Sequence, residues 1–310
     1  MARLGDSVVA GLSLAVVPAM AVSLAAAGAL TVVNPDSVYP EGPLVRDGTL
    51  YYAEMGSDRV MAWDGVSNTV LWSRPGCLPT TVAAWAADEL IVLCHREELL
   101  ARIGLDGETL GLIDADETGQ GFPNPNAATS DGRGGLYFSS SGRFAPRAAA
   151  TGAILHLDRD GRLGRVAEDI HYANGVALSP DGGTLFVSEH LSRNVLAFDV
   201  SGDGSLSGRR VFLRLDDLVG SDAERGWEVG PDGLAVDRRG NLYIAEYGGG
   251  RLVVVDAGGA HLATIPVPNA YVTSMALSAD EAQLFITAPD SQFATGGAVY
   301  AIANPVRQPD

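Results

Sequence analysis

Six oxygen-bearing residues recur at one offset along the chain. Glu41, Thr80, Asn126, Asn174, Asp232 and Ser274 each lie ten to twelve residues before a short run of aromatic or β-branched residues. Two of the six are acids and two are amides. Carboxylate and amide oxygens are hard donors, and the two charges of Glu41 and Asp232 match one divalent cation. Ca2+ suits this set best and Mg2+ or Mn2+ next. Zinc suits it less well, and no CxxC pair is present to offer a thiolate cage. An ion held there would polarise a carbonyl and acidify a bound water. The competing, plainer reading is that polar residues at strand starts only cap hairpins. Asp181, in Pro180-Asp181-Gly182, is read that way, because it falls between two strands.

The elements that must position these residues are short strands separated by Gly, Asp, Asn and Pro turns from residue 38 onward. No long stretch carries a helical period. The aromatic or β-branched runs are 51–54, 91–94, 137–140, 186–189, 243–246 and 285–288, and third strands follow at 59–64, 153–158, 194–199 and 251–256. Six small antiparallel units at this spacing predict an all-β fold: one six-bladed β-propeller domain, residues 30–310, closed around a central channel. A single four-stranded sheet cannot bury both faces, whereas a ring of six buries them against one another. The segment at 30–33 is expected to complete the last blade. Insertions at 141–151 and 215–230 are expected to be loops over one face, where recognition usually sits. The innermost strands should carry the six oxygen-bearing residues to the axis.

A second tier of residues falls near the expected mouth. His95 and His190 end second strands, as Met55 and Tyr247 do, and are candidate rim residues or proton shuttles. Phe122, Tyr172, Trp227, Tyr247 and Tyr271 lie in or beside the expected loops and are candidates for an apolar pocket. His156 and His261 read as structural. Residues 199–210 imitate the start of a calcium loop, but position twelve is Arg210 and the flanks are strands, so this segment is a hairpin turn. No G-x-S-x-G elbow is present, which disfavours a serine esterase.

The 310 residues carry 21 basic and 38 acidic side chains, for a net charge of −17. So acidic a surface repels phosphate backbones, and nucleic acid is not an expected partner. Every basic residue is arginine, which excludes Schiff-base chemistry and the lysine of a phosphate loop. Residues 8–33 are nearly all apolar or small, with Arg3 before them and Ala27-Gly28-Ala29 resembling a cleavage site. Residues 1–29 therefore read as a secretory signal, predicting a periplasmic or secreted protein with no stable membrane insertion after processing. An uncleaved anchor, or translation from Met20 in the cytoplasm, are the alternatives. Cys77 and Cys94 flank one expected hairpin, either as a disulfide or as two buried thiols.

The segments Glu41-Gly42-Pro43, 174–182 (NGVALSPDG), 231–237 (PDGLAVD) and 272–274 (VTS) resemble the senescence marker protein/gluconolactonase/luciferin-regenerating-enzyme-like family over about residues 30–303. The resemblance implies a six-bladed propeller with one divalent metal in the channel and hydrolysis of lactones. It places the metal ligands on Glu41, Asn174 and Asp232, makes Asp232 the general base, and assigns Asn126 to substrate or metal-bound water. Where the family commonly has Asn-Asp-Gly, this chain has Asn126-Ala127-Ala128. That removes an acid from the pocket and separates this chain from the sugar-lactone specificity of the named members. The expected partner is a small lactone or related ester. The alternatives are action on another electrophile, such as a phosphotriester, a lyase or cyclase, or a ligand-binding propeller with a structural cation.

Overall fold

The computed structural model describes residues 28–220, 226–292 and 296–307. The expected secretory signal lies outside the described residues but for its last two positions. Among the described residues there are 24 strands, one short α-helix, Leu215–Val219, and two single 3-10 turns, Met55–Ser57 and His190–Ser192. No helix among them is long and apolar enough to cross a membrane.

The strands form six four-stranded antiparallel sheets. Five, blades one to five in chain order, are simple meanders, whose inner strands are Pro40–Arg46, Pro79–Ala84, Pro125–Ser130, Ala173–Leu178 and Gly230–Val236. The sixth is composite. Its inner three strands are Ser274–Leu277, Gln283–Pro289 and Gly297–Ala303, and its outer strand is the N-terminal Thr31–Asn34, paired with the last strand of the chain. This join pairs the first described strand with the last and closes the ring, so the expected six-bladed propeller is what forms.

Second strands are buried on both faces because each blade is sandwiched between two others. Successive side chains point to opposite faces. Leu242 and Ile244 pack toward blade four with Phe186 and Val195, while Tyr243 and Ala245 pack toward blade six with Leu284 and Ile286. The six apolar clusters correspond to the six blade-to-blade contacts, closing with Leu50 and Tyr52 of blade one against Phe285 and Val299 of blade six. Fully burying each such Leu, Ile or Phe contributes about 1.5–3 kcal/mol relative to exposure.

Cys77 and Cys94 are joined as a disulfide with Cα atoms 4.5 Å apart. Both are fully buried in the contact between blades one and two. The bridge spans a sequence separation of 17. Chain-entropy arguments for a loop of that size give about 3 kcal/mol. Reduction, or replacement of both cysteines by alanine, should therefore lower the denaturant midpoint clearly. An unchanged midpoint would show that the bridge adds nothing to blade packing.

Candidate active site

The inner strands carry the site by a repeated irregularity. In five blades the pairing of first and second strand slips at the site residue: Glu41/Leu44, Pro79/Thr81, Pro125/Ala128, Ala173/Val176 and Pro231/Leu234. Such a bulge turns a side chain out of the regular alternation. Here it turns Glu41, Thr80, Asn126, Asn174 and Asp232 into one cavity of about 270 Å3. Blade six pairs without a slip from Ser274 onward. Ser274 therefore does not join the ring, correcting the expectation from its offset; it lines a separate cavity with Thr129 and Ser130. Thr273, one residue earlier, is the blade-six residue beside Glu41, its hydroxyl held by the Pro40 carbonyl and by Thr287.

Neighbouring blades hold one another's site backbone. Thr81 Oγ1 donates to the Asn126 carbonyl at 2.7 Å, Ser188 Oγ to the Asp232 carbonyl at 2.7 Å, and Thr273 Oγ1 to the Pro40 carbonyl at 2.9 Å. The Asn-Gly and Asp-Gly pairs at 174–175 and 232–233 are not turns. A side chain at Gly175 would collide with the backbone of Asp232 and Leu234, and one at Gly233 with Thr273 and Ser274. Glycine is required there for close approach of strands near the axis. Two residues upstream of the site position, Tyr39, Leu78, Asn124 and Tyr172 all adopt left-handed backbone, with φ of 52, 52, 53 and 60°.

Glu41, Asn174 and Asp232 are 8, 4 and 5% exposed. Burial pushes both carboxyls well above the usual carboxylate range, and the Asp232 charge raises Glu41 further. Among the described residues neither acid has a basic partner. The contrast with the second-strand glutamates is sharp: Glu54, Glu189 and Glu246 are buried too, but pair with Arg59, Arg209 and Arg251. The Asn174 Oδ1 is buried without a hydrogen-bond partner.

The amide of Asn174 is held from behind. The Glu228 carbonyl can only accept, so His190 Nε2, at 2.8 Å, carries the proton. Burial lowers the His190 pKa to about 4, against the pull of the Glu228 and Pro231 carbonyls. The ring is therefore neutral, and its Nδ1 accepts a long 3.4 Å bond from Asn174 Nδ2. With both ring nitrogens engaged, His190 is poorly placed to shuttle protons. His95 is also held neutral, its pKa lowered by burial to about 4, and its Nδ1 lies 3.2 Å from the Pro125 carbonyl.

The remaining candidates sort as follows. His95, Tyr172, His190, Tyr247 and Met55 line the cavity. Trp227 does not line it: the ring is 43% exposed and packs on Phe144 with centroids 4.9 Å apart. Tyr271 backs Tyr247. Phe122 is fully buried in the core between blades two and three, so its expected place in the pocket is wrong. His156 is structural, bonded to Asp131 at 2.9 Å and stacked on Tyr137. Asp181 caps its turn through the Gly183 amide. Tyr39, Phe144 and Gln292 also line the cavity and were not anticipated. Tyr39 had a usable signal, since it sits two residues before Glu41 as Tyr172 does before Asn174.

Residues 39–289 match the model of the SMP-30/Gluconolactonase/LRE-like region, and the chain belongs to that family. It is 31% identical to the L-arabinolactonase of Azospirillum brasilense over 52% of this chain, and spans about half of that protein's length (51%). It is 27% identical to the 6-deoxy-6-sulfogluconolactonase of Pseudomonas putida, over 83% of this chain and 85% of the other. A solved gluconolactonase from Xanthomonas campestris superposes with a TM-score of 0.73 at 26% identity, covering 90% of each chain.

Proposed function

We propose that this protein hydrolyses a lactone or a related ester, using one divalent cation held by Glu41, Asn174 and Asp232. The donor set fits such an ion. Two buried carboxylates lack a basic partner among the described residues, and a buried amide oxygen lacks any partner. That orphaned oxygen beside two unneutralised acids is the observation that carries the reading. Hard oxygen donors favour Ca2+, with Mg2+ or Mn2+ as substitutes and Zn2+ the poorest match. When bound, the ion supplies polarisation of the acyl carbonyl and stabilisation of the developing oxyanion.

The chain's own groups supply the rest. Asp232 accepts a proton from the attacking water as general base. Asn126 orients the substrate or that water. The aromatic wall narrows the site. The protein being exported is a further part of the reading, supported by the apolar N-terminal run and by a buried disulfide, which persists best in an oxidising compartment.

The test uses the purified full chain, stripped with chelator and assayed on a panel of lactones with Ca2+, Mg2+ or Mn2+ restored. Turnover should vanish with chelator and return with the ion, and the melting temperature should rise with ion concentration. Failure of every lactone and ester under every ion would end the hydrolase reading and favour a binding propeller.

A further inference from the structure

We infer, building on the lactonase reading, that the substrate is a neutral lactone carrying an aromatic or alkyl substituent rather than a polyhydroxylated or anionic one. The relatives named above act, by their names, on sugar-derived lactones; the walls of this cavity are built for something else.

The floor is polar and the walls are not. Phe144, from the 141–151 insertion, sits at the centre of the wall, with ring centroids 4.7 Å from Tyr172 and 5.4 Å from His190. The polar atoms of the wall rings are largely occupied within the protein. The Tyr39 and Tyr247 hydroxyls bond each other at 3.0 Å. His190 has both nitrogens engaged. What remains for a substrate on the walls is mostly ring face, with His95 Nε2, the Gln292 amide, the Tyr172 hydroxyl and the one hydroxyl proton that the Tyr39–Tyr247 pair does not use; Asn126 adds an amide at the floor. A polyol lactone presents several hydroxyls, each of which loses water on entry and needs a partner. The scattered single groups of this wall, set among aromatic faces and without a charged side chain, match one or two hydroxyls and not a full polyol ring.

Charge excludes the second class. Among the described lining residues of the cavity there is no arginine, and the chain has no lysine. A carboxylate, phosphate or sulfonate on the substrate would face Glu41 and Asp232 without a counter-charge within the cavity. Shape then favours an elongated ligand. His95, Phe144 and Tyr172 also line an adjoining open groove of about 450 Å3. A substituent can pass over Phe144 into that groove while the ring carbonyl stays at the floor. Arg143, exposed on the groove, is the cation among its described lining residues that an anionic tail could reach, so the test includes an anionic arm.

The experiment compares kcat/KM of the Ca2+-loaded full chain on an aryl-fused δ-lactone (dihydrocoumarin), an alkyl-substituted δ-lactone, unsubstituted δ-valerolactone, glucono-1,5-lactone and its 6-phosphate. The aryl and alkyl lactones should exceed gluconolactone and its phosphate by about tenfold or more, the range an apolar pocket can discriminate. Phe144→Ala should cut the preference for the aryl-fused lactone over δ-valerolactone about tenfold. Phe144→Leu, which keeps bulk, covers the case in which the alanine variant folds poorly, and should give a smaller loss in the same ratio. Gluconolactone or its phosphate turned over as well as the aryl lactone would overturn the inference while leaving the hydrolase intact. Equal loss on all substrates in both variants would also overturn it. If nothing is hydrolysed, quenching of the Trp227 ring that packs on Phe144 still decides. Tighter binding of 3,4-dihydro-2-quinolinone than of gluconolactam upholds the wall chemistry without the hydrolase, and the reverse order sinks both.

Discussion

Replacing Asp232 with asparagine should lower lactone turnover by about 10²–10⁴-fold, the contribution of a positioned general base. The same change should raise the melting temperature of the chelator-treated protein. Both follow from one geometry. Asp232 and Glu41 share a buried floor with no basic partner among the described residues, and burial holds both carboxyls above the usual range. A group whose folded pKa is raised stabilises the fold below its unfolded pKa and loses that contribution as pH climbs through the folded value. Without a cation, the wild-type protein should therefore lose stability as pH rises from the ordinary carboxylate region, about 4, toward neutrality. The asparagine variant carries one fewer buried charge, so its advantage over wild type should widen from acidic to neutral pH. Added Ca2+ should narrow that gap, because the ion neutralises the same pair. Melting curves with and without chelator, Ca2+ titration calorimetry and turnover together check this. A variant that binds Ca2+ and keeps full activity would remove Asp232 from the base role.

The frame of this site was legible because its signal is repeated. Six aromatic or β-branched runs announced six blades, and one offset found five of the six ring positions. The sixth failed for a physical reason: blade six pairs in register from Ser274, and without the slip that side chain is not delivered to the floor. A bulge leaves little trace in composition. The glycines at 175 and 233 were its nearest sign, yet Asn-Gly and Asp-Gly also spell turns, and only the approach of the adjacent blade distinguishes the two. The walls were less legible still. Phe144 comes from a loop with no periodicity, and its place over the floor is set by packing on Tyr172, His190 and Trp227. Phe122 sits in a loop by sequence but fills a blade contact against Phe138, because a buried apolar gap attracts an aromatic side chain wherever the chain passes.

His190 meets the proposed ion only through Asn174, yet its replacement should weaken Ca2+ binding by about 10–100-fold, the range for groups that orient a metal ligand from behind. An amide can present either its oxygen or its nitrogen. The neutral His190 ring offers Nδ1 as an acceptor, which favours Asn174 Nδ2 on that side and leaves Oδ1 free. His190→Phe keeps an aromatic ring among Phe144, Tyr172 and Tyr247 but removes the acceptor. His190→Gln loses the ring but restores a carbonyl that can accept from Asn174. Affinity should therefore fall in the order wild type, Gln, Phe. Thermal stability should follow the opposite order for the two variants, since the phenyl ring suits the aromatic shell better. A purely packing role predicts that affinity and stability fall together. The pH profile gives an independent readout. A histidine held at a pKa of about 4 instead of its usual 6.5 stabilises the fold above 6.5 and loses that contribution as pH falls toward 4. The full effect is about 3 kcal/mol, at 1.36 kcal/mol per pKa unit. The phenylalanine variant should lack the His190 part of the acid-side loss between pH 6.5 and 4, while the contribution of His95 and the opposite one of the Glu41–Asp232 pair remain. An unchanged acid slope, or Ca2+ affinity restored by Phe rather than Gln, would remove His190 from the positioning role.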